Sequence, residues 1–287
     1  MQDTRTSAAF VSRSIAAAGV ETHYIEAGNG PLLILVHGGG AGADSVGNWG
    51  AIIPRLSNEY RVIAVDMVGF GRTTGPVLDT SLYTQAGRNR WLAAFIEAIS
   101  LGPAILVGNS MGGATTLGLA MERPELVSRL VLMGAAGLAV SRPASEQLQA
   151  VMGYDFTYES MERVVKALTA PDFDVKDELV QYRHDLVMRP ENREGLTNVQ
   201  KHTRATGGMV YQDEDIARIS VPTLALWGKE DYVVPLEDAF RFLKLIRRSW
   251  GYIVPACGHW PMIEKPDVFV AAFRSFEQAV AAERTVA

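Results

Sequence analysis

The chain has 287 residues, of which 48% are apolar and 21% charged, and its formal net charge is -5. This is the composition of a globular protein with a sizeable core, and its scattered basic residues give no charged surface for nucleic acid. Because Cys257 is the single cysteine and no apolar run has signal-peptide character or membrane-spanning length, we expect a cytoplasmic protein without disulfides and without membrane contact.

Apolar runs of strand length recur along the chain. Residues 13–28 have the pattern of a β-hairpin with Gly19 near its turn, which predicts an antiparallel edge. The later runs are almost continuously apolar, as in strands that are buried on both faces of a parallel sheet. They cover residues 31–36, 61–66, 103–108, 129–134, 222–228 and 250–255. Helix-like segments lie between most of them, for example residues 84–100 and 113–125. This alternation predicts an α/β fold with a doubly wound, mostly parallel sheet.

The alternation of strands and helices stops between Ala136 and Ser220. Helix-like stretches such as residues 159–169 follow one another there without a convincing strand. We therefore predict one core domain, built from residues 1–135 and 221–287, with a helical cap over residues 136–220. Such a cap would cover the carboxyl ends of the strands, where ligands bind in sheets of this kind.

The segment GNSMG, residues 108–112, joins a predicted strand to a predicted helix. It matches the G-x-S-x-G nucleophile elbow, in which small residues let the backbone turn sharply and expose the serine above the sheet. A Cβ atom at Gly108 or Gly112 would collide with neighbouring elements. An ordinary glycine-rich turn is the alternative interpretation, and the strand–turn–helix context favours Ser110 as a nucleophile.

A serine hydroxyl needs a base that removes its proton and an acid that orients the base. His259 follows the last predicted strand, as the chain order of serine, acid and histidine requires. His37 directly follows a strand and suits a role in shaping the next loop. His23 lies in the hairpin, and surface positions are expected for His184 and His202 in the cap.

The acid is expected at the carboxyl end of a strand before His259. Asp231 has this position, after the strand over residues 222–228. For the neighbouring Glu230, a solvated loop charge is the favoured interpretation. Asp66 is the reserve candidate, although it ends a strand where a capping or turn role is favoured.

Glycines after the strand over residues 31–36 predict an oxyanion hole. They let a backbone N–H approach a developing oxyanion, and the residue after the nucleophile supplies the second donor. The predicted donors are the N–H groups of Gly39 and Met111.

A dinucleotide-binding fingerprint is the rival interpretation of the same glycines. Gly38-x-Gly40-x-x-Ala43 follows a strand, and an aspartate ends the next strand. In that fold a helix begins within the glycine run, whereas residues 44–54 are predicted here to continue as a polar loop past Gly47. The rival also leaves the predicted serine, aspartate and histidine unexplained.

These motifs resemble the α/β-hydrolase family over essentially the whole chain. More narrowly, they look like the meta-cleavage product hydrolases, which hydrolyse carbon–carbon bonds in ring-cleavage products of aromatic catabolism. The narrower signs are HGGGAGAD followed by GNW, then GNSMGGAT, the arginine in QYRHD and the tryptophan in GHW. The stretches GYDFTYESMERVVKALT and SWGYIVPACGHW look closest to the carbazole-pathway branch, whose substrate bears a 6-(2-aminophenyl) group. Val68, Pro261 and Met262 depart from the commoner family pattern, which leaves the pocket shape open.

The resemblance implies a small-molecule substrate of the 2-hydroxy-6-oxohexa-2,4-dienoate type, with Ser110, Asp231 and His259 as the triad. It also implies a set of residues that hold the dienoate: Gly38, Gly39, Gly40, Asn48, Asn109, Arg183 and Trp260. By their types alone, the arginine would be a solvated cap residue, the asparagines turn residues and the tryptophan a packed wall. The resemblance further implies a homo-oligomer, a dimer or higher. We expect neither a metal nor a cofactor, because the sequence has no H-E-x-x-H helix and no convergent cluster of histidines and carboxylates.

The implied reaction has two stages. His259 moves protons so that the dienol becomes its keto tautomer, and Ser110 or a water activated near it then attacks the C6 carbonyl. The products are 2-hydroxypenta-2,4-dienoate and a carboxylic acid. Two other functions stay open at this point, a plain carboxylesterase and a non-catalytic ligand receptor on the same fold.

Overall fold

The computed structural model of the protein describes residues 10–75, 77–100, 102–139 and 142–286. An eight-stranded sheet runs through it. Its strands are β1 (Val11–Ala17), β2 (Val20–Ala27), β3 (Leu32–Val36), β4 (Arg61–Val65), β5 (Ala104–Asn109), β6 (Val127–Met133), β7 (Thr223–Gly228) and β8 (Ser249–Val254). Their order across the sheet is β1-β2-β4-β3-β5-β6-β7-β8. The β1–β2 and β2–β4 pairs are antiparallel and the other pairs are parallel. The predicted sheet and all of its predicted strands are confirmed.

The N-terminal hairpin has the tight turn that the sequence indicates. Ala18 and Gly19 connect β1 to β2 with φ values of 49° and 78°. Two positive φ values are typical of the two-residue turn whose twist matches that of the flanking strands. The hairpin forms the antiparallel edge of the sheet, as predicted.

Burial explains why the central strands are continuously apolar. Every residue of β5 and β7 is buried, because helices cover both faces of the sheet. The sequence analysis also predicted burial on both faces for β8. This was wrong, because β8 exposes Gly251 and Tyr252. Since β8 is the last strand of the sheet, it has a neighbouring strand on one side only and is less enclosed.

Helices connect the strands and fill the interval between β6 and β7. They are α1 (Ser45–Trp49), α2 (Ile53–Leu56), α3 (Gln85–Ile99), α4 (Met111–Glu122), α5 (Glu146–Met152), α6 (Tyr158–Leu168), α7 (Asp177–Val187), α8 (Pro190–Ala205), α9 (Asp213–Ile216), α10 (Leu236–Leu245), α11 (Pro261–Glu264) and α12 (Pro266–Val286). Short 3-10 turns cover Thr80–Tyr83 and Pro124–Leu126. The helices predicted over residues 84–100, 113–125 and 159–169 correspond to α3, α4 and α6 and are confirmed.

The polar loop predicted over residues 44–54 was wrong, because α1 begins at Ser45. The Asp44 carboxylate caps this helix by accepting a hydrogen bond from Gly47 N at 2.7 Å. The Asp66 carboxylate fixes the same turn by accepting from Ser45 N at 2.6 Å. Trp49 is fully buried and packs against Phe269. The helix nevertheless begins beyond the glycine run rather than within it.

Candidate active site

The predicted site residues follow the carboxyl ends of neighbouring parallel strands. The glycine loop follows β3, Ser110 follows β5, Asp231 follows β7, and His259 follows β8. Because these strands are parallel, their carboxyl ends meet at one edge of the sheet. Segments that are far apart in the sequence are therefore brought to one place.

Ser110 lies on a strained turn between β5 and α4. Its φ and ψ are 54° and −117°, a conformation that non-glycine residues rarely adopt and that clusters at functional sites. A Cβ at Gly108 would lie 2.3 Å from Thr116 Oγ1, and one at Gly112 would lie 2.4 Å from His37 O. The prediction that these two glycines allow a close approach is confirmed. The turn has the geometry of a nucleophile elbow.

His259 and Asp231 form a buried hydrogen-bonded pair. Nδ1 of His259 lies 2.7 Å from Oδ2 of Asp231, and both side chains are almost completely buried. The other oxygen, Oδ1, accepts from the N–H groups of Val233 and Val234 at 3.0 and 2.9 Å. His259 Nε2 is buried and has no hydrogen-bond partner among the described residues. The carboxylate is fixed by the backbone, and the free ring nitrogen is available to a serine or a ligand.

Gly39 and Met111 adjoin each other beside Ser110. A Cβ at Gly39 would lie 3.3 Å from Met111 Cβ and 2.8 Å from its Sδ, so the two segments approach closely and a side chain at position 39 would displace that of Met111. Met111 is the first residue of α4, and the first N–H groups of a helix have no intrahelical acceptor. Two backbone donors can therefore converge on a substrate oxygen at this point.

A cavity of about 370 Å³ opens onto these groups. It is lined by most of the predicted site residues: Gly38, Gly39, Gly40, Asn48, Asn109, Ser110, Met111, Arg183, His259 and Trp260. Asp231 lies behind His259 and is not part of the lining. The remaining wall is mainly apolar and comes from the segment after β6, from α5 and α8, and from Val233 and Val234. The sequence analysis did not identify the residues of this apolar wall. Only Val233 could have been found, because it lies two residues after Asp231 in the sequence.

Arg183 is a buried cation without a carboxylate partner among the described residues. It is 1% exposed, and its Nη2 donates to Ala41 O at 2.8 Å. Its Nε and Nη1 have no hydrogen-bond partner there. The guanidinium lies 4.6 Å from the ring centroid of Trp260, a stabilising cation–π arrangement. Burial lowers the pKa of Arg183 to about 10, so the group is still charged at neutral pH. The solvated position expected from residue type was wrong, because α7 turns this side chain into the protein.

Asn48 and Asn109 each present an unpaired carbonyl oxygen inside the protein. Oδ1 of both residues is buried without a hydrogen-bond partner in the described structure. Nδ2 of Asn109 donates to Met133 O at 3.0 Å and to His259 O at 3.2 Å. Since a backbone carbonyl can only accept, these bonds fix the amide orientation and leave Oδ1 as an acceptor for a ligand.

Asp66, the reserve candidate for the acid, pairs with a different histidine. Its Oδ2 lies 2.7 Å from His23 Nδ1, and His23 Nε2 lies 2.7 Å from Ser12 Oγ. Asp66 also accepts from Arg72 N at 2.8 Å. These hydrogen bonds outweigh the effect of burial and lower the pKa of Asp66. This second chain of serine, histidine and aspartate lies outside the cavity lining, and its serine is exposed on β1.

The other polar residues considered in the sequence have local roles. His37 Nδ1 contacts Gly38 O at 2.7 Å and its Nε2 accepts from Met67 N, so it shapes the glycine loop as predicted. His184 and His202 are half-buried against Tyr158 and Tyr83, respectively, rather than fully on the surface. The solvated charge expected at Glu230 was wrong, because this half-buried carboxylate accepts from Cys257 N at 3.0 Å. In the described residues no cluster of three histidine, cysteine or acidic side chains could hold a metal ion, and no helix is long and apolar enough to cross a membrane.

Glu264 holds the loop that carries His259 and Trp260. Its buried carboxylate accepts from Gly258 N and Trp260 N, and also from Ala170 N after α6. The neighbouring His259 N donates to Leu168 O at 3.0 Å. Burial raises the pKa of Glu264, and the backbone N–H donors oppose that rise. The loop is thus tied to the end of α6 by the Glu264 side chain and by one backbone hydrogen bond, and the sequence analysis missed the role of Glu264.

Glu264→Gln is expected to lower the free energy of unfolding by about 1–3 kcal/mol, because an amide would set an NH₂ group against buried N–H donors. Chemical denaturation of the two proteins measures the difference. Glu230→Gln is the matched control, since its amide oxygen can still accept the single N–H of Cys257. Equal unfolding free energies for the two variants would contradict the role of Glu264.

The chain is similar to a described protein family and to several individual enzymes. A family model described as "alpha/beta hydrolase fold" matches residues 31–266. The chain is 48% identical to the 2-hydroxy-6-oxo-6-(2'-aminophenyl)hexa-2,4-dienoic acid hydrolase of Metapseudomonas resinovorans, over 95% of this chain and 92% of that protein.

Solved structures show the same similarity. A serine hydrolase involved in carbazole degradation, the CarC enzyme, superimposes with a TM-score of 0.85 at 47% identity, over 94% of this chain and 99% of that chain. The meta-cleavage product hydrolase CumD of Pseudomonas fluorescens, complexed with acetates, superimposes with a TM-score of 0.87 at 35% identity, over 96% of this chain and 100% of that chain.

Proposed function

The chain belongs to the α/β hydrolase family and, within it, to the meta-cleavage product hydrolases, and from this membership we propose how its residues carry out the reaction. It is a carbon–carbon bond hydrolase that cleaves C5–C6 of a 2-hydroxy-6-oxohexa-2,4-dienoate to 2-hydroxypenta-2,4-dienoate and a carboxylic acid. The observation that carries the residue assignment is that Arg183, buried in the same cavity as Ser110 and His259, has two nitrogens without a hydrogen-bond partner among the described residues.

The dienoate carboxylate binds Arg183. A buried guanidinium with two unpartnered nitrogens is an unfavourable arrangement until an anion pairs with it, and its planar fork matches a carboxylate. Asn109 Oδ1 accepts the hydrogen of the 2-hydroxyl group, because its amide nitrogen is already bonded to the main chain. Gly38, Gly40, Asn48 and Trp260 complete the walls around this end of the substrate.

The first stage converts the dienol to a keto tautomer. His259 removes the 2-hydroxyl proton and C5 receives a proton, which leaves a C2 ketone conjugated with the C3–C4 double bond. C5 then lies between this unsaturated ketone and the C6 carbonyl. The tautomer can therefore accept the electron pair of the C5–C6 bond when that bond breaks.

The second stage is hydrolysis at C6. His259 Nε2 takes a proton from Ser110, or from a water beside it, and Asp231 stabilises the resulting imidazolium. The N–H groups of Gly39 and Met111 stabilise the C6 oxyanion. When this oxyanion collapses, the C5–C6 electron pair moves through C3–C4 to the C2 oxygen, and protonation there gives the dienol product. If Ser110 is the attacking group, this cleavage leaves an ester between Ser110 and C6, and a water activated by His259 hydrolyses the ester and restores the serine. If water attacks, the acid forms directly, and by either route the carboxylic acid carries the former C6.

We also propose that the helices between β6 and β7 form the cap over residues 136–220. Arg183 on α7 and Thr203 on α8 both line the cavity, so this region contributes binding residues and covers the triad. A cytoplasmic location and a homo-oligomer stay predictions from the sequence and from the family resemblance.

Arg183→Ala tests the proposed binding mode. We expect kcat/KM for a 6-phenyl dienoate to fall roughly tenfold to a hundredfold or more, because a charge-assisted bidentate pair contributes on the order of 1.5–3 kcal/mol. For a neutral aryl ester, which has no carboxylate, kcat/KM should barely change. Arg183→Lys should recover only part of the loss, since a point charge cannot reproduce the fork.

The matched control is Arg204→Ala, which removes an exposed arginine that also lines the cavity. It should leave the ratio of dienoate to ester turnover unchanged. An equal loss on both substrates in Arg183→Ala would mean that Arg183 only supports the cap. Ester turnover without dienoate turnover in the unsubstituted enzyme would instead identify a carboxylesterase, and binding without turnover of either would identify a receptor.

A further inference from the structure

The hydroxyl of Thr203 on α8 is buried without a hydrogen-bond partner among the described residues. Threonines inside helices commonly donate to the carbonyl four residues earlier. Two other threonines of this segment do so: Thr197 Oγ1 donates to Arg193 O at 2.8 Å, and Thr206 Oγ1 donates to His202 O at 3.0 Å. Thr203 does not, although the same helix offers it the same kind of acceptor. An unsatisfied buried hydroxyl is unfavourable, so its position needs an explanation.

Thr203 belongs to the cavity wall, together with Gln200 one turn earlier on the same face of α8. The lining of this cavity is mainly apolar and includes Leu148 and Val151 of α5 and Val233 after β7. A polar atom in such a wall distinguishes ligands by their hydrogen-bonding groups, because an unmatched polar group is left unpaired on binding.

The order of the strands gives the direction in which the 6-substituent would extend. Arg183 adjoins the glycine loop after β3, since a Cβ at Gly42 would lie 2.2 Å from Arg183 O. Ser110 follows β5, the next strand in the sheet.

Beyond β5 lie β6 and β7. The segment after β6 pairs with the chain that follows α8, through the bridge between Leu138 and Tyr211 and through the hydrogen bond from Tyr211 N to Gly137 O. A substrate with its carboxylate at Arg183 and its C6 at Ser110 therefore extends its 6-substituent toward β6 and the carboxyl end of α8, where Thr203 lies.

We infer that Thr203 determines specificity for a 6-aryl substituent that bears an N–H or O–H donor. This inference rests on the proposed function, because the direction of the substrate follows from carboxylate binding at Arg183. The hydroxyl oxygen accepts a hydrogen bond from the amino or hydroxyl group on the ring, while the apolar residues around it contact the ring itself. A donor on the ring would give Thr203 Oγ1 the hydrogen-bond partner that it lacks among the described residues.

Thr203→Val removes the hydroxyl and keeps the shape of the side chain. We expect kcat/KM for a 6-(2-aminophenyl) dienoate to fall roughly three- to tenfold relative to a 6-phenyl dienoate, the range expected for one neutral hydrogen bond. A 6-(2-hydroxyphenyl) dienoate shows whether an O–H donor is bound in the same way. Thr203→Ser should retain the preference of the unsubstituted enzyme, and Thr197→Val is the control on the same helix.

The melting temperature distinguishes a binding role of Thr203 from a structural one. If the hydroxyl only stabilised the fold, Thr203→Val would lower the melting temperature. Because the hydroxyl has no partner in the described structure, Thr203→Val should be as stable as the original protein or more stable. An unchanged ratio of aminophenyl to phenyl turnover would overturn the inference. If the original enzyme turns over neither dienoate, the proposed function is wrong. Calorimetric binding of 2-aminoacetophenone against acetophenone, which have no carboxylate for Arg183, still tests Thr203 separately: equal affinities in the original and Thr203→Val proteins would overturn its role.

Discussion

Ser110→Ala is expected to lower kcat for a 6-aryl dienoate by at least about a thousandfold, as the loss of a nucleophile in a triad does. The dienoate should still bind with nearly unchanged affinity, since Arg183, Asn109 and Trp260 are untouched. Stopped-flow absorbance of the coloured substrate separates binding from turnover in one experiment. A variant that keeps more than about a tenth of the original kcat would show that Ser110 is not the reacting centre.

The structure supplies the reason for such a large effect at one hydroxyl. The backbone of Ser110 is held at a positive φ by hydrogen bonds from Ser110 N to Met133 O and from Ala136 N to Ser110 O. Ser110 and His259 line the same cavity, and His259 Nε2 has no hydrogen-bond partner among the described residues. Alanine keeps the same backbone and the same cavity, and it removes only the oxygen that can react.

Ser12→Ala is the matched control for this prediction. Ser12 also contacts a histidine that is paired with an aspartate, through His23 and Asp66. Its hydroxyl is exposed on an edge strand and lies outside the cavity lining. Loss of turnover in Ser12→Ala comparable to that in Ser110→Ala would mean that the wrong serine had been assigned.

Local sequence patterns were sufficient for the sheet and the elbow. Strands buried on both faces are continuously apolar, and the glycines around Ser110 are required by contacts of less than 3 Å that any Cβ would make. Both signals are contained in a few consecutive residues. The same is true of the hairpin, whose turn needs a residue such as Gly19 with a positive φ.

Contacts between distant segments could not be predicted in this way. Nothing near Arg183 in the sequence indicates that its side chain is buried against Ala41 O and Trp260, and residue type alone favoured a solvated position. The start of α1 was missed because the cap at Asp44 was not recognised and its second support comes from Asp66. The hydrogen bonds of Glu264 join the loop of His259 to Ala170 after α6 and are likewise visible only in the fold.

Asp231→Asn is the second variant with a large expected effect, and we expect kcat to fall by roughly a thousandfold or more. Asparagine can keep the two hydrogen bonds that Oδ1 accepts from Val233 N and Val234 N, so the loop should remain in place. Its NH₂ group then faces His259 Nδ1, which must become an acceptor. The ring proton moves to Nε2, and the imidazole can no longer take a proton from Ser110.

Asp66→Asn is the control for Asp231→Asn, because it also removes a buried carboxylate that is paired with a histidine. It shows whether the expected fall in kcat is specific to Asp231. Asp66 accepts from Ser45 N and Arg72 N and pairs with His23, so its replacement should lower the yield of folded protein and its melting temperature. The kcat of each folded molecule should change little, because none of these partners lines the cavity. Active-site titration of the folded fraction gives kcat per site for both variants. If Asp66→Asn proves the more damaging by that measure, Asp66 rather than Asp231 is the acid that orients the catalytic histidine.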